Sequence, residues 1–512
     1  MSATPARPGT ISRPLLDVAA FLGVPAPSGA EGVTVTGVAQ DSRAVQPGGL
    51  YVARPGANAH GAAYAFVAAS AGARAAVTDP AGRAPCEAAG LPTLVVPDPA
   101  AILGPLASWM YGEPTRDLVL LGVTGTNGKT TTTYFLEAAL RQAGHRTGLI
   151  GTVETRIEDE VLPSMRTTPE APDLQALLAR MRAREVSAAA MEVSSHALSL
   201  GRVAGCHFDV AGFTNLSLDH LELHGDLESY FAAKASLFTP ELTALAVIDI
   251  DDPYGERLAK DAAARGVEVV TVSPSGDQRA AWRAGPVEYA QAGALGFDVE
   301  GPDGIDLRLA LGIPGTFNVA NALVAAAMLH AVAVDPASIV LAFAAARIPG
   351  RMERVTPPEG AGETPTVIVD YAHTPDAVGV VLETVRPWTT GSVIAVVGCG
   401  GDRDRSKRPV MGEVAARAAD VVVVTDDNPR SEDPAAIRAA VLAGTERVPR
   451  EERAEVVEVG DRRAAVAAAL ERATPNDTVL VLGKGHESGQ EIRGVVHPFD
   501  DREVVTKIWE SR

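Results

Sequence analysis

Short apolar runs alternate with segments of helical periodicity along most of the chain, and this pattern predicts an α/β protein. The run Leu118-Val-Leu-Leu-Gly-Val has the length and the β-branching of a buried strand. A glycine-rich turn follows, and apolar residues then recur at helical spacing from Phe135 to Leu140. We therefore predict a strand, a turn and a helix in direct succession in this part of the chain.

Four further apolar runs lie in the last third of the chain, and each ends in a charged or polar motif. They begin at Thr366, Val393, Val421 and Val479. Continuous apolar runs with helices between them are typical of a doubly wound parallel sheet. Ligands of such a sheet bind beyond the carboxyl ends of its strands. We therefore expect the four motifs to meet in one crevice.

A chain of 512 residues is too long for one hydrophobic core, so we expect several domains. Linkers rich in proline and glycine divide the sequence into three blocks. We predict a mixed α/β N-terminal domain over 1–116. A central domain over 117–350 would be a P-loop ATPase-like parallel sheet. A C-terminal domain over 351–512 would be doubly wound and Rossmann-like.

The composition narrows the class of function. A formal net charge of −19 argues against nucleic acid or an anionic membrane surface as the main partner. Cys86, Cys206 and Cys399 lie far apart without paired metal spacing, which favours a reducing compartment and no disulfide framework. No apolar stretch is long enough to span a bilayer, and the N-terminus lacks an apolar signal core. We expect a cytoplasmic protein without membrane insertion.

The turn Gly125-Thr-Asn-Gly-Lys-Thr130 has the features of a phosphate-binding loop. Its glycines let backbone N–H groups approach phosphates, and the N-terminus of the next helix favours negative charge. Lys129 would reach the β- and γ-phosphates, and the Thr130 hydroxyl would face Mg²⁺. The spacing is tighter than the general pattern, which has glycine where Val123 stands, so a purely structural turn is the alternative. We predict an ATP site.

Two polar side chains follow strand-like runs of the same block. Glu192 ends the run that begins at Ala188, and His220 follows the run that begins at Ala211. Both are therefore placed to meet Mg²⁺ beside the nucleotide. The alternative is an ordinary glutamate and an ordinary histidine on the surface.

Lys234 occupies an unusual position in the pattern. The apolar residues of 226–238 form one helical stripe, and Lys234 lies in the middle of it. A bare ammonium there is costly unless it is paired, and snorkelling to water is one escape. The other is that burial lowers the pKa of the amine and makes it a nucleophile. It could then take up CO₂ to form a carbamate that ligates Mg²⁺.

Other polar segments admit both a structural and a binding interpretation. Asp41-Ser-Arg43 and Asn58-Ala-His60 could be plain polar turns of a small domain. Asn318 stands near the start of an alanine-rich helix, where it could cap the helix or contact adenine.

The chain resembles the Mur ligase family, whose members form amide bonds on cytoplasmic peptidoglycan precursors. The resemblance covers nearly the whole chain and all three blocks. The motifs that carry it are Gly125–Thr130, Glu192-Val-Ser-Ser-His196, Asp219-His220, the helix bearing Lys234, Tyr371-Ala-His-Thr-Pro-Asp376, Asp41-Ser-Arg43, Thr167-Thr-Pro-Glu170 and Asp427-Asn-Pro-Arg430.

This resemblance implies an ATP-dependent ligase that joins 2,6-diaminopimelate to UDP-MurNAc-L-Ala-D-Glu through an acyl phosphate, with Mg²⁺ as cofactor. It implies catalytic roles for Lys129, Glu192, His220 and Lys234, the last as a CO₂-derived carbamate. The implied metal ligands are Thr130, Glu192, His220 and that carbamate. The implied ATP-binding residues are Gly125, Thr126, Asn127, Gly128, Lys129, Thr130, Asn318 and Arg351. We expect a monomer whose partners are small-molecule substrates.

The resemblance also implies that the N-terminal domain binds the uridine end of the substrate, that the central domain binds ATP and that the C-terminal domain binds an amino acid. Two further sets of residues follow from it. Ser42, Asn58, Ala59, His60, Thr167, Thr168, Ser194 and Arg202 would hold the UDP-MurNAc-dipeptide. Arg403, Asp427, Asn428, Pro429, Arg430, Gly483 and Glu487 would hold diaminopimelate. Arg430 suits a bidentate grip on the second carboxylate of diaminopimelate, which lysine lacks. Arg166 is left outside the site, because relatives often have asparagine at that position.

Two rival functions fit parts of the pattern. A folylpolyglutamate synthetase shares the ATP loop and the buried lysine, but the first block and the Asp427–Arg430 segment argue against it. A nucleotide-driven switch would turn over ATP without any amino acid, and it leaves the charged strand ends of the last block unexplained. The sequence does not distinguish the meso from the LL isomer of diaminopimelate.

Overall fold

The computed structural model describes residues 11–162, 166–217, 219, 221–289, 293–360 and 362–511. They form two compact units. The first contains the chain up to Arg283 together with Gly301–Asp303 and Asn321–Ile339. The second contains Ala284–Glu300, Gly304–Ala320 and the chain from Val340 onwards. Both units are α/β, and their main sheets are largely parallel, which confirms the predicted fold class. The domain boundaries at 116 and 350 remain predictions.

The first part of the first unit is built on a four-stranded parallel sheet of order β3-β4-β5-β6. Leu50 pairs with Ala75 in this sheet, and α1 and α4 contribute to the core against it. The elements are β1 (Arg13–Pro14), α1 (Leu15–Leu22), β2 (Thr34–Val35), β3 (Val38–Ala39), β4 (Leu50–Ala53), α2 (Ala65–Ser70), β5 (Ala75–Thr78), α3 (Arg83–Ala88), β6 (Thr93–Val95) and α4 (Pro99–Met110).

The strand predicted before the phosphate loop is β7 (Val119–Thr124), and it lies inside the second sheet, between two parallel neighbours. The other elements of this part of the chain are α5 (Lys129–Gln142), β8 (Thr147–Ile150), β9 (Thr155–Ile157), β10 (Glu160–Leu162), α6 (Ala171–Ala183), β11 (Ala188–Glu192), α7 (Ser195–Ser199), β12 (Phe208–Phe213), α8 (Leu221–His224), α9 (Leu227–Ala235), β13 (Thr243–Asp249), α10 (Pro253–Ala264), β14 (Glu268–Ser273) and β15 (Trp282–Ala284). The strand order in this unit begins β10-β9-β8-β11-β7-β12-β13-β14.

This order determines which side chains meet at the edge of the sheet. β7 pairs in parallel with β11 on one side and with β12 on the other. In this register Glu192 lies opposite Val123, and Phe213 lies opposite Thr124. The carboxyl end of β11 therefore reaches the start of the phosphate loop.

Residues 284–350 supply three antiparallel strands and two helices. β17 pairs with β16 and with β18 in the second unit. The elements are β16 (Glu288–Tyr289), β17 (Leu295–Glu300), β18 (Asp306–Leu311), α11 (Phe317–Ala331) and α12 (Pro336–Ala345).

The C-terminal sheet has the order β19-β20-β24-β21-β22-β23, parallel except for β19. The four predicted apolar runs are its adjacent strands β20, β24, β21 and β22, so their motifs do follow neighbouring carboxyl ends. The elements are β19 (Glu353–Arg354), β20 (Thr366–Asp370), α13 (Pro375–Val385), β21 (Val393–Val397), α14 (Lys407–Ala418), β22 (Val421–Val424), α15 (Pro434–Thr445), β23 (Glu455–Glu458), α16 (Arg462–Arg472), β24 (Thr478–Leu482), β25 (Gly489–Ile492), β26 (Val495–Pro498) and α17 (Asp501–Glu510).

A fully buried ion pair joins two helices of this unit to the end of β24. Both side chains of the Arg462–Asp501 pair are 0% exposed, with Nη2 2.7 Å from Oδ2. Arg462 Nη2 also donates to the Leu482 carbonyl at 2.9 Å. The pair therefore fixes the backbone two residues before Lys484, where the last of the four motifs begins.

Replacing Asp501 with asparagine should destabilise the protein strongly. The change leaves the buried Arg462 guanidinium uncompensated, and breaking such a pair costs about 3–5 kcal/mol of unfolding free energy. Urea unfolding followed by circular dichroism measures it. The control on the same helix is Glu503→Gln, whose pair with Lys507 is 67% and 57% exposed. Exposed pairs contribute about 0–1 kcal/mol, so equal losses in the two variants would contradict the expectation.

Candidate active site

The phosphate loop has a backbone that only glycine adopts easily. Gly125 has φ +150° and Gly128 has φ +89°. A Cβ at Gly128 would lie 2.1 Å from Asn321 Oδ1, and one at Gly125 would lie 1.9 Å from Thr214 Oγ1. Glycine is therefore favoured at both positions for two reasons: the positive φ strains other residues, and a Cβ would clash with a neighbouring side chain.

Lys129 begins helix α5, directly after the loop. Its Nζ donates to the carbonyls of Gly125 and Thr126, at 2.9 Å each. Helix start and ammonium thus place two sources of positive charge at the loop, which suits a polyphosphate.

Glu192 is a buried carboxylate with three hydrogen-bond donors around it. Thr130 Oγ1 donates to its Oε1 at 3.0 Å, and the Thr152 backbone N–H does so at 2.8 Å. The Thr152 hydroxyl donates to the other oxygen, Oε2, at 3.0 Å. The carboxylate thus joins the phosphate loop to the segment after β8.

Thr130 and Glu192 supply the kind of oxygen ligands that Mg²⁺ prefers. Mg²⁺ is usually held by one or two carboxylates plus water and substrate phosphates, so this pair fits the ion. Within the part of the chain that the structure describes, no three His, Cys, Asp or Glu side chains form a metal-binding group. His220, the other predicted protein ligand, lies outside the described residues.

Lys234 is buried, which decides between the two alternatives that its place in the helical stripe leaves open. The residue is 1% exposed, so its ammonium does not snorkel to water. Its Nζ donates to the Gly125 carbonyl at 2.6 Å and lies 4.5 Å from the centre of the Tyr230 ring. Burial lowers the pKa of Lys234 well below its usual value, and the nearby Lys129 charge lowers it further, while Asp219 opposes the shift.

The predicted dipeptide-binding residues Thr167, Thr168 and Ser194 lie next to Glu192. The Thr168 hydroxyl donates to the Glu192 carbonyl at 2.8 Å and accepts from Ser194 N–H at 3.1 Å. The hydroxyls of Thr167 and Thr152 are 2.9 Å apart. Sequence reasoning missed Thr152, which no local pattern marks.

Arg202 completes this group through Glu170, which ends the Thr167–Glu170 motif but was not among the predicted site residues. Its guanidinium pairs with Glu170 at 2.8 Å and donates to the Thr168 carbonyl at 3.2 Å. Burial lowers the pKa of Arg202. Arg166, left out of the site, also pairs with Glu170, as does Gln40 of the first block at 2.9 Å. Glu170 therefore links the first block to the segment that is predicted to bind the dipeptide.

The other predicted nucleotide-binding residues lie in turns of the first block. Ser42 is buried in the turn after β3, whereas Asn58 and Ala59 are exposed after β4. His60 Nε2 lies 3.1 Å from an Asp79 oxygen, and Nδ1 accepts from the Ala62 N–H at 3.0 Å. The turn is thus ordered by internal contacts.

Asn318 and Arg351, the other predicted ATP contacts, have distinct surroundings in the second unit. Asn318 is buried in the first turn of α11 and donates to the Pro314 carbonyl at 2.7 Å. Arg351 stacks 4.5 Å from the centre of the Tyr371 ring, 3.4 Å from His486 Nδ1. Burial, with Arg351 and Arg502 nearby, lowers the pKa of His486 to about 3, so this imidazole is neutral near pH 7.

The predicted amino-acid site forms around the loop after β22. Asn428 Nδ2 donates to Glu487 Oε2 at 2.8 Å. Gly483, at the end of β24, has φ +112°, and a Cβ there would lie 3.7 Å from Asp427. The structure therefore brings together side chains or backbone from Asp427, Asn428, Gly483 and Glu487.

Arg430 follows Pro429 and faces the neighbouring glycine-rich loop. It adopts a left-handed backbone with φ +52°, and its Nη1 donates to the Gly401 carbonyl at 2.7 Å. Its Nε lies 3.5 Å from Glu491 Oε2, and its side chain is 22% exposed. Arg403 lies exposed on the same glycine-rich loop.

Two features of this site were not predicted. Lys484 is buried between Asp427, Asn428 and Glu487. Strand β25 also lies along the loop after β22, because the Arg430 N–H donates to the Glu491 carbonyl at 3.0 Å. The sequence shows a lysine in a glycine-rich turn and a short polar strand, neither of which signals these contacts.

Comparison with known proteins adds independent observations. The sequence matches three protein-family models: "Mur ligase family, catalytic domain" over residues 34–111, "Mur ligase middle domain" over residues 123–329, and "Mur ligase, glutamate ligase domain" over residues 350–485. Among the described residues, no helix is long and apolar enough to cross a membrane.

Individual relatives match over nearly the full length. A protein of Streptomyces coelicolor named UDP-N-acetylmuramoyl-L-alanyl-D-glutamate–2,6-diaminopimelate ligase is 54% identical over 98% of this chain and 97% of its own. The protein of that name from Corynebacterium glutamicum is 48% identical over 89% of this chain and 88% of its own. A solved structure of a ligase with this name is 31% identical, covers 93% of this chain and 94% of its own, and gives a TM-score of 0.68. The chain therefore belongs to the Mur ligase family of ATP-dependent ligases.

Proposed function

We propose that this chain adds 2,6-diaminopimelate to UDP-MurNAc-L-Ala-D-Glu at the expense of ATP. The observation that carries the proposal is the position of Glu192. Its carboxylate accepts from Thr130 of the phosphate loop and from Thr152, whose hydroxyl lies 2.9 Å from that of Thr167. The γ-phosphate of ATP and the carboxylate of the dipeptide would thus be held at one place, as their reaction requires.

The first step transfers the γ-phosphoryl group to the free carboxylate of the dipeptide. A carboxylate oxygen forms a bond to phosphorus, the bond to the β-phosphate oxygen breaks, and ADP leaves. Lys129 offsets the negative charge on the transferring group, and the loop N–H groups orient it. Mg²⁺ held by Thr130, Glu192 and His220 would supply further charge neutralisation.

Lys234 has the properties that a carbamate needs. Its neutral ε-amine would form a bond to the carbon of CO₂ and lose one proton, giving a carbamate with a negative charge. The low pKa of Lys234 favours the neutral amine that this reaction requires. The carbamate nitrogen keeps one N–H, which could continue to donate to the Gly125 carbonyl. The new oxygens would add to the metal ligands.

The second step joins the amine to the activated carboxyl. The diaminopimelate nitrogen attacks the acyl carbon, and the tetrahedral intermediate expels phosphate and a proton to give the amide. We assign diaminopimelate to Arg403, Arg430, Asp427, Asn428, Pro429, Gly483 and Glu487, with the carboxylates opposite its ammonium and the guanidinium groups opposite its carboxylate. Asn318 and Arg351 remain proposed ATP contacts.

The first block is proposed to hold the uridine end of the substrate, through Ser42, Asn58, Ala59 and His60. Thr167, Thr168, Ser194 and Arg202 would hold the muramoyl dipeptide. The contact of Gln40 with Glu170, which also pairs with Arg202, supports a continuous substrate site between these two groups. We further propose that the protein works in the cytoplasm as a monomer.

The proposal is tested by phosphate release from ATP with UDP-MurNAc-L-Ala-D-Glu and Mg²⁺. The amine is meso-diaminopimelate, LL-diaminopimelate or L-lysine in turn, and the product is weighed by mass spectrometry. We expect release and a tripeptide product with one diaminopimelate isomer. Release with lysine alone would overturn the amino-acid assignment. ATP turnover indifferent to the dipeptide and the amine would overturn the ligase and favour a nucleotide switch.

A further inference from the structure

Lys484 is a buried ammonium inside the proposed amino-acid site. Its side chain is 0% exposed, and its Nζ donates to Asn428 Oδ1 at 3.1 Å and to Glu487 Oε2 at 3.0 Å. Asp427 Oδ1 lies 3.8 Å away. Burying a charge is costly unless it is paired, so a lysine is retained here only with these partners.

The contacts of Lys484 give the Asn428 amide a single orientation. Asn428 Oδ1 accepts from Lys484 Nζ and from the Glu491 N–H at 3.0 Å. Its Nδ2 then donates to Glu487 Oε2 at 2.8 Å. An ammonium can only donate and a carboxylate can only accept, so a flipped amide would oppose both neighbours.

The same contacts orient Glu487. Both hydrogen bonds, from Lys484 and from Asn428, go to Oε2. The side chain is nevertheless 32% exposed. Oε2 is thus fixed by the protein, and we assign Oε1 to the incoming ammonium.

Asp427 supports the same interpretation. Among the described residues, its Oδ1 is buried without a hydrogen-bond partner, which is costly unless a ligand or a charge compensates it. Asp427, Glu487 and Glu491, the last 3.5 Å from Arg430 Nε, are acidic, and Lys484, Arg430 and Arg403 are basic, so these six side chains sum to zero charge. A neutral set of this kind suits a zwitterion, with one ammonium and one carboxylate.

We infer that Lys484 is a positioning residue that makes this site selective for an amino acid whose far end is a zwitterion, rather than a lone cation. The inference rests on the proposed function. Lys484 holds Asn428 and Glu487 in the orientation that receives the ammonium. It also offsets one of the two carboxylates. Without it the site carries net negative charge, which favours an amine with a single positive end, such as L-lysine.

The test compares Lys484→Met and Lys484→Gln with the wild type in steady-state kinetics. For Lys484→Met we expect the KM for diaminopimelate to rise roughly 10- to 100-fold, because an orienting donor and a charge are both lost. The KM values for ATP and for UDP-MurNAc-L-Ala-D-Glu should change less than about twofold. The ratio of kcat/KM for diaminopimelate to that for L-lysine should fall at least about tenfold.

Lys484→Gln separates the two roles of the side chain. Its amide can still donate towards Asn428 but carries no charge. We therefore expect its KM for diaminopimelate to lie between those of the wild type and Lys484→Met. Its ratio of kcat/KM for diaminopimelate to that for L-lysine should stay as low as in Lys484→Met. Lys507→Met, which removes a 57% exposed lysine from the same unit, should match the wild type in all of these values.

Each outcome decides the inference. The inference would be overturned if both Lys484 variants kept the wild-type selectivity ratio. It would also be overturned if the KM for ATP rose as much as the KM for diaminopimelate, because a merely structural role predicts that both values rise. ATP binding measured by calorimetry shows whether each variant is folded, and if Lys484→Met is not, the ratio for Lys484→Gln decides. A wild type that releases phosphate without regard to the amine would overturn the proposed function and this inference with it.

Discussion

Replacing Lys234 with methionine should lower kcat by about 10²- to 10³-fold, the loss typical of removing one pre-positioned group from a charged transition state. Methionine has a similar length but can neither donate to the Gly125 carbonyl nor form a carbamate. The fold should survive, because methionine has a similar volume and replaces a polar amine whose burial is itself costly. A melting temperature equal to or above that of the wild type would show this.

Phosphate release is the measurement, and Lys260→Met is the control. Lys260 is 73% exposed on α10 in the same unit, so its loss should leave kcat unchanged. The carbamate itself is checked by carbon NMR with ¹³C-labelled bicarbonate, which should give a carbamate signal in the wild type and none in Lys234→Met. Added bicarbonate should not restore the variant. A fully active Lys234→Met would remove Lys234 from the mechanism.

Replacing Arg430 with alanine should reduce the preference for diaminopimelate over L-lysine by about 10- to 150-fold. A hydrogen bond to a charged group contributes about 1.5–3 kcal/mol, and only diaminopimelate has the second carboxylate to receive it. Lysine should be used about as well as by the wild type. Arg430→Lys should be intermediate, because it keeps the charge and loses the planar pair of donors.

The ratio of kcat/KM for the two amines, measured in parallel, tests this prediction. Arg405→Ala is the control, since Arg405 is 75% exposed on the segment that follows the glycine-rich loop. Its ratio should equal that of the wild type. If Arg430→Ala also keeps the wild-type ratio, Arg430 does not recognise the second carboxylate.

The parts of this molecule that the sequence predicts are those with a local signal. Unbroken apolar runs predicted β20, β21, β22 and β24 as neighbouring parallel strands, because strands buried on both faces need apolar residues at every position. The helical stripe around Lys234 predicted that it lies on the inward face of its helix, because periodicity reports that face, but it did not decide between burial and snorkelling to water.

Contacts between distant segments have no such signal. Gln40 and Glu170 are 130 residues apart, and their pairing depends on how two blocks pack. Thr152 lies in an irregular segment, so nothing in the sequence marks its two hydrogen bonds to Glu192. Lys484 resembles any lysine in a turn until the loops from β22 and β24 lie side by side. These residues are found only when the chain is folded.

The position of Glu192 also has a thermodynamic consequence. One carboxylate holds both Thr130, on the proposed nucleotide side, and Thr152, which contacts Thr167 on the proposed dipeptide side. A ligand that orders one side therefore orders part of the other in advance, and the second ligand loses less conformational freedom on binding. Such linkage is reciprocal: whatever factor ATP adds to the affinity for the dipeptide, the dipeptide adds to the affinity for ATP.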